Sequence, residues 1–225
     1  MTPTAPPANA APREPFLVWP GWRHLAFAWT LSALNAAWFV LVYGGCDWLT
    51  AHRAFRVRLD LPFEQHTPFV PWTVVFYMSI YALFAAGPFI IRARREFAAL
   101  VAALALSTAV AGLGFLLFPA QTYYPMPGNL GAWSSLYHVA DDINLTYNLA
   151  PSLHVALSVG CIAAFSRHAS SWGRPLLWAW ALAIAASTLL THQHYLVDAV
   201  SGWLLGWWTQ RAMGRWCLPS SGSVR

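Results

Sequence analysis

Residues 97–118 read FAALVAALALSTAVAGLGFLLF, an apolar run of 22 residues that contains no charged side chain. The hydrocarbon core of a bilayer is about 30 Å thick, and an α-helix needs roughly 20 residues to cross it. Because backbone N–H and C=O groups in lipid must bond to one another, such a run is expected to cross as a helix. The stretch therefore predicts a membrane protein built from helices.

The composition of the whole chain supports the same fold class. Of the 225 residues, 58% are hydrophobic and 9% are charged, whereas about a quarter of the residues in a soluble domain are charged. The chain has five further apolar runs, of which the fourth and fifth spans are short at about 16 residues, so the sequence predicts an all-α polytopic protein with six transmembrane helices. The predicted spans are 24–43, 72–91, 97–118, 152–167, 175–190 and 195–213.

The predicted spans divide the chain into a membrane domain and two tails. Residues 1–23 begin with a Pro- and Ala-rich stretch and are interpreted as a disordered tail, not as a cleaved signal. The six-span domain covers 24–213, and residues 214–225 form a C-terminal tail. Between the first two spans, residues 47–70 mix bulky apolar and charged side chains, which predicts an interfacial segment lying along the headgroups.

The basic residues predict the orientation. All 13 are arginine, which excludes mechanisms that need a lysine Schiff base. Arginines concentrate in 92–96, between spans two and three, and in 167–174, between spans four and five, so both connections are predicted to be cytoplasmic. Both termini then lie on that side, with ten arginines inside and three outside. Their scatter between apolar spans argues against a nucleic-acid partner.

Three ionisable residues form the candidate catalytic set. His154 opens span four, while His194 and Asp198 lie where span six begins. The connection between spans four and five is cytoplasmic in this topology, so all three residues are expected at the outer face. The i, i+4 spacing of His194 and Asp198 puts both on one helix face, about 6 Å apart at Cβ. A carboxylate so placed can fix the tautomer of a histidine nucleophile or base.

The surroundings of these residues favour an anionic substrate. Pro151 and Ser152 open span four, and the positive ends of spans four and six point toward one pocket. The alternatives are a packing or capping role for the His194–Asp198 pair and a helix-start role for His154. The segment 138–148, which contains Asp141 and Asp142, reads as a solvated polar loop. No Cys/His pairs have ligand spacing, so neither a metal nor another cofactor is expected.

These residues resemble the type 2 phosphatidic acid phosphatase (PAP2) superfamily, in particular its branch that includes the inositol phosphorylceramide synthases. The second superfamily motif, PSGH, is similar to PSLH at 151–154. The third motif, an SR pair followed by a histidine and an aspartate, resembles STLLTHQHYLVD at 187–198. The resemblance extends from about residue 56 to about residue 206.

The resemblance implies a PAP2-like helical bundle and a role for each member of the catalytic set. His194 would attack phosphorus to form a phosphohistidine, Asp198 would orient His194, and His154 would protonate the leaving oxygen. Water or an alcohol would then accept the phosphoryl group. The substrate would be a lipid phosphate or a phospholipid, and no cofactor is implied.

The phosphate-binding part of the family pattern is different in this chain. The first motif, which contains a lysine and a later Arg-Pro, is not recognisable, and the expected region reads FPAQTYYPMPGN at 118–129. Thr188 replaces the arginine of the third motif. Other donors are therefore expected to bind the phosphate. The candidates, with His192 first because it lies beside the nucleophile, are His192, Ser152, Gln121, Arg56 and Arg58.

Three functions remain open from the sequence. The first is a lipid phosphate phosphatase acting on a phosphatidate-like or isoprenoid-phosphate substrate. The second is a phosphotransferase that moves a phospho-headgroup to a lipid alcohol, as the synthase branch does. The third is a non-catalytic membrane protein that binds lipid headgroups. Charge bias and resemblance together predict a bacterial inner membrane, with the active site on the outer face and both termini cytoplasmic.

Overall fold

The computed structural model describes residues 15–125 and 128–217, which form eight α-helices and no β-strand. The predicted all-α class is confirmed. Of the two predicted tails, residues 1–14 and 218–225 lie outside the described part of the chain. The helices are α1 (Trp22–Ala51), α2 (Val74–Met78), α3 (Ile80–Ile90), α4 (Arg94–Leu117), α5 (Ser134–Ile143), α6 (Leu153–Phe165), α7 (Gly173–Leu190) and α8 (Leu196–Cys217).

Four segments are long and apolar enough to cross a membrane, judged by length and composition. They are Trp22–Ala51, Pro71–Ile90, Arg94–Leu117 and Gly173–Leu190. The fourth predicted span, α6, is apolar but has 13 residues, which at 1.5 Å per residue is about 20 Å. The sixth, α8, has 22 residues but is less apolar than these four.

Several boundaries differ from the prediction, and α8 continues to Cys217, into the predicted C-terminal tail. Helix α1 continues to Ala51, so residues 47–51 belong to it and not to the interfacial segment. Span two starts with a 3-10 turn, Pro71–Thr73, and its helix is interrupted at Ser79. The Ser79 hydroxyl donates to the Phe76 carbonyl at 2.6 Å, a local bond that competes with the regular helical pattern.

Helix α5 was not predicted, because residues 138–148 read as a polar loop. Its buried side chains, Tyr137 and Ala140, are three residues apart and pack against Val74 and Tyr77 of α2. Asp141 and Asp142 are exposed on its other side. The apolar face of this amphipathic helix is only two turns long, so the polar residues around it made the segment read as a loop.

The helix ends gather at two opposite ends of the bundle. At one end, the Arg94 guanidinium donates to the Arg23 carbonyl at 3.4 Å and His168 lies 3.3 Å from Glu96. The connections 91–93 and 166–172 therefore share an arginine-rich end. At the other end, the Val70 N–H donates to the Leu190 carbonyl at 2.8 Å.

Helices α6 and α8 approach closely through two glycines. A Cβ on Gly202 would lie 2.3 Å from the Ser152 carbonyl oxygen, and one on Gly206 would lie 2.1 Å from that of Ala156. This small-xxx-small spacing allows helix backbones to touch. Because Asp198 precedes Gly202 by four residues, it lies on the same face of α8 and is directed toward the start of α6.

Candidate active site

His194 and Asp198 form a buried hydrogen-bonded pair at the start of α8. His194 Nδ1 lies 2.7 Å from Asp198 Oδ2, and the two residues are 5% and 0% exposed. The second carboxylate oxygen accepts the Tyr195 N–H at 2.8 Å. A carboxylate partner requires a proton on Nδ1, so Nε2 of the neutral ring carries the lone pair.

The loop 191–195 places His194 beside this carboxylate. The Thr188 carbonyl near the end of α7 accepts both the Gln193 and the His194 N–H, each at 3.0 Å. Because one carbonyl accepts both N–H groups, the chain makes a tight turn between α7 and α8. His192 completes the reversal in a left-handed conformation, with φ of 60°, which non-glycine residues adopt only in special turns.

Ser152 links the two motifs through its backbone. Its N–H donates to the Asp198 carbonyl at 2.9 Å, and its Oγ accepts the Val155 N–H at 3.3 Å as the N-cap of α6. The N-cap bond satisfies one of the free N–H groups at the helix start. The structure thus gives Ser152 a structural role, while its hydroxyl proton remains available for another acceptor.

His154 is fixed by Tyr77 of α2. Its Nε2 lies 2.6 Å from the Tyr77 carbonyl oxygen, and the two rings stack with centroids 3.8 Å apart. A carbonyl can only accept, so Nε2 carries the proton and Nδ1 is the nitrogen left for proton transfer. Sequence reasoning missed Tyr77, since nothing in its own segment marks a contact with a residue 77 positions later.

The two histidines lie at the head of one cavity of about 390 Å³. Its walls are formed by α1, α3, α4 and α6, and Ala140 and Ile143 of α5 contribute to its roof. It extends from His154 and His194 to Gly87 and Phe97, close to the arginine-rich end. Most of its surface is apolar, so the site opens into a space suited to hydrocarbon.

Glu64 supports the start of α8 from the interfacial segment. This glutamate is 2% exposed; Oε1 accepts the Leu196 N–H at 2.6 Å, and Oε2 accepts the Leu61 N–H at 2.7 Å. A carboxylate at a helix N-terminus binds a free N–H and interacts favourably with the helix dipole. The sequence carried no signal for this contact, because Glu64 and Leu196 are distant in the chain.

The predicted phosphate ligand His192 contacts the interfacial segment. Its Nε2 lies 3.0 Å from the Thr67 carbonyl oxygen, and its ring stacks on Tyr124 at 4.1 Å. Burial lowers the pKa of His192, which favours the neutral ring. His192 does not line the cavity that contains His154 and His194. The structure therefore places it as a connection between the interfacial segment and the loop 191–195.

The other predicted phosphate donors also lie outside the cavity. Arg58 makes two hydrogen bonds to Asp60, at 3.0 and 2.8 Å, and this guanidinium lowers the pKa of Asp60. Arg56 lies 4.3 Å from the ring centre of Tyr147 and donates to backbone carbonyls. Gln121 is half-buried in the loop after α4.

Within residues 15–125 and 128–217, no arginine lines the cavity in place of the missing clamp. Thr188 is fully buried, and its hydroxyl donates to the Ala185 carbonyl at 2.8 Å. Among the described residues that line the cavity there is no arginine. Nor do any three His, Cys, Asp or Glu side chains of the described chain come close enough together to hold a metal ion. The polar groups at the head are the histidines, carboxamides, hydroxyls and helix N-termini.

Helix α5 is hydrogen-bonded to the loop that carries His194. Gln193 Oε1 accepts from Asn144 Nδ2 at 2.6 Å, and Gln193 Nε2 donates to Asp141 at 3.2 Å. Tyr137 donates its hydroxyl to the Thr191 carbonyl at 3.2 Å, and burial raises the pKa of Tyr137 to about 12, so the donor stays protonated. The roof of the cavity is thus attached directly to the loop 191–195.

One end of this apolar helical bundle holds a paired histidine and aspartate, a second histidine that lines the same cavity, and an apolar cavity below them. This arrangement is typical of integral membrane proteins with phosphatase-type sites. A family profile described as the PAP2 superfamily matches residues 47–211. The chain belongs to the PAP2 superfamily. None of the curated proteins compared with the chain matches it.

Proposed function

We propose that the protein is a lipid phosphate phosphatase that forms a phosphohistidine on His194. The observation that carries the proposal is the free lone pair of His194 Nε2 at the head of an apolar cavity, with His154 lining the same head. Both a nucleophile and a proton donor are then available to one phosphoester. The first-turn N–H groups of α6 other than that of Val155, which is bonded to Ser152, would add positive potential for the phosphoryl oxygens.

In the first half of the proposed reaction, His194 Nε2 attacks phosphorus and the bond to the lipid oxygen breaks. The N-phosphorylated ring is cationic, and the Asp198 carboxylate stabilises it through Nδ1–H. Protonated His154 transfers its Nδ1 proton to the leaving lipid oxygen, while Nε2–H stays bonded to the Tyr77 carbonyl. The products are the lipid alcohol and phosphohistidine.

In the second half, a hydroxyl group attacks the phosphorus of phosphohistidine. The new O–P bond forms as the P–Nε2 bond breaks, and the lone pair returns to Nε2 of His194. His154, now neutral, accepts the hydroxyl proton on Nδ1 and is ready to act as an acid again. Water as the attacking group gives inorganic phosphate, and an alcohol gives a phosphate ester.

The proposed topology has all six helices α1, α2–α3, α4, α6, α7 and α8 crossing the membrane, with the active-site end extracytoplasmic and the arginine-rich end cytoplasmic. The positions of the arginines support this orientation. At about 20 Å, α6 is shorter than the bilayer core of about 30 Å. His154 at its start would then lie below the headgroup surface, where a lipid phosphate can reach it. A reporter fused after Arg225 should read cytoplasmic, and an extracytoplasmic signal would invert the topology.

A second candidate is a phosphotransferase similar to the inositol phosphorylceramide synthases. The observation that favours it is the cavity head without arginine. A phosphodiester headgroup carries one negative charge, whereas a phosphomonoester carries up to two, so a site with few cations suits a phospholipid donor better. His194 would again attack phosphorus and expel the lipid alcohol of the donor, but the group held on His194 would keep its headgroup. A second lipid alcohol would then accept that group as the P–Nε2 bond breaks.

One assay separates these functions. Detergent-purified protein, with chelator present, is incubated with a panel of lipid phosphates and phospholipids, with and without inositol-like or lipid-alcohol acceptors. Release of inorganic phosphate supports the phosphatase, and a new lipid ester supports the transferase. Binding of lipid phosphate without turnover, equal in wild type and His194→Ala, would contradict both and leave the non-catalytic function.

A further inference from the structure

Asn148 is a buried polar residue at the cavity head that the proposed chemistry has not yet used. It lies in the loop before α6, is 3% exposed and lines the same cavity as His154 and His194. Its Nδ2 donates to the Tyr43 carbonyl of α1 at 2.5 Å. No donor within the described residues reaches its Oδ1, although this atom is buried.

The bond to Tyr43 fixes which end of the carboxamide is free. A backbone carbonyl only accepts hydrogen bonds, so the NH₂ group must face it and the oxygen must point elsewhere. The oxygen of Asn148 is therefore a pure acceptor, buried beside the cavity that the residue lines. A buried acceptor without a partner is unfavourable, so such an atom is expected to bind a donor when the site is in use.

The chemistry of an acceptor restricts what Asn148 Oδ1 can bind. The ionised oxygens of a phosphoryl group are themselves acceptors and are repelled by a carboxamide oxygen. In the proposed reaction, an O–H donor comes to the cavity head when a hydroxyl group attacks phosphohistidine. His154 Nδ1 must take one proton of the attacking group. Water has a second proton, which Asn148 Oδ1 can accept so that the molecule is held in orientation for attack, whereas an alcohol has no second proton.

We infer that Asn148 is a positioning residue whose Oδ1 accepts a hydrogen bond from the attacking water, through the proton that does not go to His154. The inference rests on the proposed phosphohistidine reaction. It assigns Asn148 to the second half of that reaction only. The first half requires no hydroxyl donor, so it should proceed without the Asn148 oxygen.

The test follows the two halves separately with radiolabelled short-chain phosphatidate in detergent micelles. Rapid mixing and an alkaline quench measure the formation of phosphoenzyme, and a chase with unlabelled substrate measures its breakdown. Asn148→Leu keeps the side-chain volume but removes the acceptor. The expected result is formation within about twofold of the wild-type rate and breakdown roughly 10-fold to 100-fold slower.

Formation also reports that the variant is folded, because an unfolded site makes no phosphoenzyme. Equal loss of formation and breakdown, or breakdown at the wild-type rate, would overturn the inference. A wild type that releases phosphate without any phosphoenzyme would instead contradict the phosphohistidine step, and one without turnover would contradict the phosphatase. Failure of the Asn148 inference and failure of the proposed phosphatase reaction therefore give different results.

Asn35 provides a matched control in the same cavity. Its Oδ1 is also buried without a partner, but Asn35 precedes Tyr43 by eight residues in α1, about 12 Å along the axis. Asn35→Leu is expected to leave the breakdown rate of phosphoenzyme unchanged, whatever its effect on KM. Slower breakdown in this variant too would contradict a specific role for Asn148.

A second arm with added octanol distinguishes the two sources of the hydroxyl. Octyl phosphate as a product identifies an alcohol as the acceptor, and inorganic phosphate alone identifies water. Asn148→Leu should slow the release of inorganic phosphate and leave the rate of octyl phosphate formation within about twofold of wild type. Release of inorganic phosphate at the wild-type rate, or equal slowing of both products, would overturn the inference.

Discussion

The backbone N–H of Ser152 donates to the backbone carbonyl of Asp198 at 2.9 Å, which joins the start of α6 to the first turn of α8. This bond sets the distance between the PSLH segment and the carboxylate that holds His194. It forms only because Gly202, one turn further along α8, has no side chain to separate the two helices. The geometry of the proposed active site therefore depends on close backbone contact as well as on the side chains of His154, His194 and Asp198.

Gly202→Ala tests that dependence. The added Cβ would lie 2.3 Å from the Ser152 carbonyl oxygen, so α8 must shift and carry Asp198 with it. A displacement of about 1 Å at a catalytic group costs up to about 100-fold in rate, and we expect kcat to fall by roughly that factor. The measurement is turnover of the preferred lipid phosphate.

Gly44→Ala is the matched control, since a Cβ on Gly44 of α1 meets nothing within 4 Å. It should be neutral or slightly stabilising, because alanine has the higher helix propensity. Equal activity of the Gly202 and Gly44 variants would show that the α6–α8 contact does not position the site.

Asp198→Asn is expected to reduce kcat by roughly 10⁴-fold, because an amide can donate to His194 and select the wrong tautomer. Asp142→Asn makes the same chemical change at an exposed position of α5 and should retain activity. Circular dichroism in detergent checks that both variants remain helical. Wild-type kcat in Asp198→Asn would refute the proposed role of the carboxylate.

Much of the candidate site follows from the sequence because it obeys local rules. The i, i+4 spacing predicts that His194 and Asp198 pair, and they do, but His194 precedes α8, so the loop 191–195 and not a shared helix face brings it to Asp198. Alternation of spans predicts that His154 reaches the same end. Tyr77, Glu64 and Asn148 could not be predicted in this way. Each acts through a contact between distant segments, and a backbone carbonyl or a buried oxygen leaves no pattern in the sequence.

The contrast between local patterns and contacts of distant segments also explains which parts of the fold could be predicted. Long apolar runs such as 97–118 predict α4 closely, since its length alone decides the structure. Helix α5 has only Tyr137 and Ala140 to mark a buried face, and the polar residues around them conceal it. The interfacial positions of His192, Arg56 and Arg58 depend on how residues 52–70 fold onto the bundle, which local propensities do not determine.

Glu64→Gln should lower both stability and activity. The carboxylate accepts N–H groups with both oxygens, whereas a glutamine can accept with one and would direct an NH₂ group at the other N–H. A buried donor left unpaired costs about 1–3 kcal/mol, so we expect the free energy of unfolding to fall by that amount. Thermal unfolding in detergent measures the change.

Glu96→Gln is the control for the loss of one glutamate. Glu96 is partly exposed at the arginine-rich end, where its partner is His168 at 3.3 Å. Exposed ion pairs contribute about 0–1 kcal/mol, so the melting temperature should change little. A Glu64 variant no less stable than the Glu96 variant would contradict the proposed contribution of Glu64 to α8.

His192 should make stability depend on pH. Burial lowers its pKa in the folded state, below the value of about 6.5 expected in the unfolded chain. Its contribution is therefore complete above about pH 6.5 and decreases as the pH falls from there toward the folded pKa, because the unfolded state binds the proton first. We expect the melting-temperature difference between wild type and His192→Asn to shrink as the pH falls from about 7.5 to about 5.

Asparagine is chosen because it tolerates the left-handed backbone at this position, so the variant loses the titratable ring without added strain. His138→Asn removes an exposed histidine of α5 and controls for the loss of one imidazole from the surface. Melting curves at matched ionic strength compare the three proteins. A difference between wild type and His192→Asn that stays constant or grows with falling pH would contradict burial of a neutral ring at His192, and with it the proposed anchoring of the interfacial segment beside the catalytic loop.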